Sequence, residues 1–103
     1  MDTSIVKKDL EQLALRLNRN HTCVLRLSKN LTSYKYEPNN YECFIRLREL
    51  KNDFSVLAEE QQTLLESMQS DGTPFEKAEM EVEASLKKFA ALEQRMAAYL
   101  LDL

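Results

Sequence analysis

The feature that most constrains this chain is a seven-residue apolar repeat that recurs in three separate stretches. The first runs Val6, Leu10, Leu13, Leu17, Asn20, Val24, Leu27, Leu31. The second runs Cys43, Leu47, Leu50, Phe54, Leu57, Gln61, Leu64, Met68. The third runs Phe75, Ala78, Val82, Leu86, Phe89, Leu92, Met96, Tyr99, Leu103, and slips once: Ser85 holds the expected slot and Leu86 takes over beside it. Side chains at this spacing share one helix face. A sustained seven-residue period winds neighbouring helices into a gentle left-handed supercoil. The pattern predicts three long helices packed side by side.

The gaps between the repeats are short and rich in turn residues. Helix 1 is expected over about 3–34, starting near Asp2 to Ser4, which are N-cap types. Glu37-Pro38-Asn39-Asn40 makes a turn, with Asn39 capping the next helix and Glu42 completing a capping box. Helix 2 is expected over about 39–70. Gly72 suits the left-handed residue that closes it, Thr73 caps helix 3, Pro74 fits its first turn and Glu76 completes that box. Helix 3 then covers about 74–102. With Gly 1 and Pro 2 in 103 residues, loop-rich and β-rich folds are disfavoured. The expected fold is all-α: a single domain, 1–103, forming an elongated antiparallel three-helix bundle of up-down-up topology.

Counting outward from each turn predicts layers. Asn20 falls level with Phe54 and Phe89, Leu27 with Leu47 and Met96, Leu10 with Leu64 and Ala78, and Leu13 with Gln61 and Val82. Asn20 and Gln61 are then about 10 Å apart along the rod. They are expected not to bond each other, each reaching water at the bundle edge.

Charge is sorted along the chain. Residues 16–35 carry Arg16, Arg19, Arg26, Lys29 and Lys35 and no acid. Helix 2 has its bases early, as Arg46, Arg48 and Lys51, and acids late. Helix 3 opens with Glu76, Glu79, Glu81 and Glu83. Bases therefore gather at the end bearing the 35–40 turn and acids at the other. Arg26, Lys29, Lys35, Arg46, Arg48 and Lys51 form a candidate basic docking end for an acidic protein tail or an anionic membrane. Nucleic acid is disfavoured: Glu42 and Glu49 interrupt the patch and no nucleic-acid motif is present. Against all of these stands the plainer expectation of solvated faces offering weak cross-helix ion pairs.

Helix 3 is more apolar than one core stripe requires. Ala84, Ala91 and Ala98 recur at one heptad position away from that stripe, and Leu100, Leu101 and Leu103 keep the chain apolar to its last residue. With Ile45 of helix 2 and Leu25 of helix 1, these residues form a candidate apolar partner surface.

The parts of an active site are missing from the pattern. His21 is the only histidine, and it flanks the core stripe. Cys23 and Cys43 are expected at different heights, too far apart for a disulfide, with Cys43 in the core. No C-x-x-C metal spacing occurs, and one glycine cannot build a phosphate-cradling loop. Tyr34, Tyr36 and Tyr41 are expected to cap the bundle end.

These readings converge on a non-enzymatic protein-protein interaction module without cofactor, metal or small-molecule substrate. It is expected to be a helical subunit or adaptor of a larger cytoplasmic assembly of the cytoskeletal, centrosomal or kinetochore kind. Its partners are expected to be other helical proteins or a second copy of itself. The architecture also resembles the N-terminal regulatory three-helix domain of the syntaxin type, spectrin repeats and small tubulin-folding chaperones, which opens a membrane-trafficking alternative. Spectrin repeats place a tryptophan in the core; this chain has Trp 0. No apolar run is long enough for a signal peptide or a membrane span.

Overall fold

A computed structural model describes residues 3–70 and 73–103. Asp2 and Gly72, expected to help start the first helix and to close the second, lie outside the described residues. Three helices form, α1 (Thr3–Asn30), α2 (Tyr41–Gln69) and α3 (Phe75–Leu101), with a short 3-10 turn at Tyr34–Tyr36. They pack against one another as an all-α bundle with no strand among the described residues, and the rod measures 58 × 18 × 16 Å. Among the described residues no helix is long and apolar enough to cross a membrane.

The caps differ in detail from the expected ones. Asn40, not Asn39, caps α2: its Oδ1 accepts from the Cys43 backbone N–H at 2.8 Å. Thr73 does not cap α3. Its hydroxyl donates to the Ser67 carbonyl at 2.8 Å, so it satisfies the end of α2, and Pro74 stands at the α3 N-cap without a side-chain bond. Pro74 thus precedes the first turn it was expected to occupy, and it suits the cap because its missing N–H is one of the groups a helix start leaves unpaired.

α1 stops at Asn30, four residues short of its expected end, because the chain tightens there. The Thr32 hydroxyl and backbone N–H both donate to the Lys29 carbonyl, and the Ser33 and Tyr36 N–H groups close further turns. Leu31 nonetheless stays in the core, 1 % exposed. The whole 31–40 connection therefore runs beside the start of α2 instead of bending back at its midpoint. Tyr99 ties it down: the hydroxyl of this fully buried residue donates to the Tyr36 carbonyl at 2.5 Å.

This path shifts the α1–α2 register by one heptad, about 10 Å, from the expected layers. Asn20 does not lie opposite Phe54; it meets Gln61. The Gln61 amide nitrogen donates to Asn20 Oδ1 at 2.8 Å and to Ser85 Oγ at 3.0 Å. Gln61 Oε1 accepts from His21 Nδ1 at 3.2 Å, which requires the His21 proton on Nδ1, since an amide oxygen only accepts. Gln61 is 0 % exposed and does not reach water. Ser85, 6 % exposed, keeps its heptad slot, and Leu86 is only partly buried beside it. The slip read in the third repeat is thus absent. The slot takes a small hydroxyl because the Gln61 amide needs an acceptor there.

The polar layer divides the core. On one side Val24, Leu31, Cys43, Leu47, Leu50, Phe54, Leu57, Phe89, Leu92, Met96 and Tyr99 form one cluster. On the other, Leu13, Leu17, Leu64, Met68, Ala78 and Val82 form a second. The same shift moves the other expected α1–α2 layers: Leu27 falls level with Phe54, not Leu47, and Leu64 with Leu17, not Leu10, although each stays within its expected cluster. No buried side-chain nitrogen or oxygen among the described residues lacks a hydrogen-bond partner. Cys43 is buried and Cys23 exposed, both free.

Burial raises the Tyr99 phenol above its usual pKa; the nearby Cys43 adds to the shift and Arg46 offsets part of it. The folded chain therefore holds this proton to higher pH than the unfolded chain does. The resulting stabilisation is whole below the unfolded value of about 10 and is lost as pH rises through the folded value. Urea midpoints should fall above pH about 10, and Tyr99→Phe should remove that component. At neutral pH the substitution should cost about 1 kcal/mol through the lost bond to Tyr36. An unchanged alkaline profile in Tyr99→Phe would contradict this.

Candidate partner interface

The α2–α3 seam carries a ladder of ion pairs. Arg46 pairs with Asp102 at 2.5 Å, Asp53 with Arg95 at 2.8 Å and Glu60 with Lys88 at 3.0 Å. On each helix the members are one heptad apart, so the same antiparallel register satisfies every rung. Each pair is substantially exposed and contributes little by itself. The ladder's value lies in matching one register. Arg46 also lies over the Tyr99 ring, 5.7 Å from its centroid. Its hydrogen bond to Asp102 raises its pKa further. Arg46, expected to be a docking base, is therefore engaged within the chain.

The alanines lie along the same seam. Ala84 and Val56 border an open groove between α2 and α3, together with Thr63, Lys77, Glu81 and Lys88. Ala98 lines a smaller depression with Arg46, Glu49 and Arg95 on the same seam. Ala91 sits between them by heptad position, and all three alanines are exposed. Beyond them Leu100, Leu101 and Leu103 are 36 %, 86 % and 38 % exposed. Ile45 is half-buried and borders a shallow groove with Arg48, Glu49, Asn52 and Asp53.

Leu25 does not join this surface. Asn18, one heptad before it, lines a depression with Gln62, Leu65 and Glu66 of α2. Half-exposed Leu25 thus belongs to the α1–α2 face. Arg48 shares the α2 side strip of Gln62 and Lys51 that of Leu65, so both lie on that face too. Arg26, Lys29, Lys35, Arg48 and Lys51 are all exposed, and none enters the ion pairs found among the described residues.

The sequence reading missed Tyr41 and Phe44. Tyr41 is 78 % exposed and does not cap the bundle end, while Phe44 is 49 % exposed. Their heptad phase was a usable signal. Tyr41 is seven residues before Arg48 and Phe44 seven before Lys51, which puts them in the same two strips. Met80, 72 % exposed, stands alone on α3 among acids.

Among the described residues no three His, Cys, Asp or Glu side chains lie close enough together to hold a metal ion. No protein-family model matches the chain, and no match to a curated protein or a solved structure was found.

Proposed function

We propose that this chain is a non-enzymatic helical docking module, a subunit or adaptor of a larger assembly of the cytoskeletal, centrosomal or kinetochore kind. Its α2–α3 face receives a helix of another protein. The observation that carries this reading is the exposed row Ala84, Ala91 and Ala98 along the α2–α3 seam, where Ala84 and Val56 border an open groove and Ala98 a smaller depression. Small side chains allow a second helix to approach closely, and the groove gives it a track. The heptad residues of the chain's own core are meanwhile already used, so a partner meets surface and not core.

The double substitution Ala91→Glu/Ala98→Glu tests it. Both sites are exposed, so the urea midpoint should move by no more than about 0.5 kcal/mol equivalent. Recovery of helical partner proteins on the immobilised chain should drop at least about tenfold, since two buried carboxylates without partners oppose the contact. Ala91→Ser/Ala98→Ser should retain them. Equal recovery by the wild type and the glutamate variant overturns the reading.

A further inference from the structure

We propose that the α1–α2 face, at the end bearing the 31–40 connection, docks on the surface of an anionic lipid bilayer. Five bases, Arg26, Lys29, Lys35, Arg48 and Lys51, gather at this end, and no carboxylate among the described residues pairs with any of them. From residue 16 to residue 35 α1 and its connection carry no acid. The α2 strips that face α1 here hold Tyr41, Arg48 and Ser55 in one and Phe44, Lys51 and Ala58 in the other, again without an acid. Glu42 and Glu49 belong to this end but to a third strip, one heptad apart. Glu49 borders the α3 depression with Arg95 and Ala98 and also the shallow groove with Arg48, so it marks one edge of the patch. Glu37, in the connection, is the other acid at the edge.

Interleaved with the bases are three protruding apolar side chains, Leu25, Tyr41 and Phe44, exposed by 50 %, 78 % and 49 %. With Gln61 beside Asn20, Leu25 stands near the level of Val56. The patch then extends to Tyr41 over about 20 Å of rod. Clusters of four to eight bases attract anionic lipid headgroups. Tyrosine and phenylalanine insert at the headgroup level while long basic side chains reach phosphates.

Shape favours a bilayer over a peptide. A docked helix or acidic tail needs a concavity that suits it. One depression on this face lies toward the opposite end, around Ala14, Leu15, Gln62 and Leu65, and the shallow groove that Arg48 borders at the basic end has one apolar residue, Ile45, beside Glu49 and Asp53, so it suits neither an apolar helix nor an acidic tail. Leu25, Tyr41 and Phe44 line neither groove and project singly. Net charge does not supply the attraction, because the chain carries −3 overall. At physiological salt charges are screened beyond about 8 Å, so the local patch, not the distant acids of α3, meets the membrane.

The test is co-sedimentation of the full chain with phosphatidylcholine vesicles, with and without about 30 mol% phosphatidylserine, at about 0.05 M and about 0.3 M salt. Binding to the anionic vesicles only, weakened at least about tenfold by the higher salt, is expected. Arg48→Glu/Lys51→Glu should lose at least about tenfold. Lys77→Glu/Lys87→Glu, with the same change in net charge on α3 away from this patch, should stay within about twofold. Tyr41→Ser/Phe44→Ser should weaken binding several-fold while leaving it salt-sensitive. Circular dichroism checks that each variant is folded. The proposal is overturned by no binding to anionic vesicles, by equal loss in the two charge-reversal pairs, or by binding to single-stranded RNA or polyglutamate without binding to vesicles. It is independent of the α2–α3 reading, which none of these outcomes touches.

Discussion

Replacing Gln61 with alanine should cost about 3 kcal/mol of folding free energy. The amide is 0 % exposed and connects three helices, donating to Asn20 and Ser85 and accepting from His21. Alanine removes all of those bonds together, leaves a cavity and strands polar groups of the layer. A buried group that loses its partner costs about 1–3 kcal/mol, more than the bond itself contributes. The informative contrast is Asn20→Leu/Gln61→Leu/Ser85→Ala, which removes the layer as a unit. It should recover the loss and can exceed the wild type in urea stability, as apolar replacement of a buried polar set often does. The same triple variant should lose register specificity, seen as broadened amide resonances or mixed oligomers in light scattering. A single Gln61→Ala variant as stable as the wild type would falsify the network's structural role.

Phe54→Ala should have an effect at least as large, about 3–5 kcal/mol. Phe54 is fully buried in the larger of the two core clusters, among Leu50, Leu57 and Phe89. Its ring spans space that thin three-helix packing cannot refill, because the rod is only 16–18 Å across. Against a total stability of about 5–15 kcal/mol for a domain, such a loss brings the chain near its unfolding threshold. Chemical denaturation by circular dichroism measures it, with Phe54→Leu as the milder comparison. A loss below about 1 kcal/mol in Phe54→Ala would show that the cluster collapses around the site.

The two substitutions test different kinds of information. Phe54 was legible in the sequence: it occupies a repeat position, and repeat positions of α2 are buried along the helix from Cys43 to Met68. The boundaries of α2 and α3 were legible to within two residues, because Pro74 and the Asn39-Asn40 pair act locally. Gln61 was legible as a repeat position, but it was expected to reach water at the bundle edge, and neither its full burial nor its bond with Asn20 was legible. Its partner depends on how the 31–40 connection travels, and no local preference records that path.

The candidate interface shows the same division. The exposed alanine row of α3 follows from its position one step off the core stripe, which periodicity alone supplies. Arg46 looked like a free base. Only the antiparallel register brings Asp102 within reach, 56 residues away in the chain. Leu25 looked contiguous with the end of α3 because both lie at the same height. The structure assigns it to the opposite side of α1, since height along a rod carries no information about azimuth.

Local pattern was enough for the number of helices, for the apolar face that each buries and roughly for where each stops. These are properties of the chain within a few residues, where periodicity, proline and capping side chains act. Tertiary structure alone decided the sliding of one helix against another. A seven-residue repeat looks the same after a shift of seven, so apolar burial barely distinguishes adjacent registers. What distinguishes them is discrete and long-range. Gln61 must find Asn20 and Ser85, the rungs from Arg46–Asp102 to Glu60–Lys88 must close, and Tyr99 must reach the Tyr36 carbonyl.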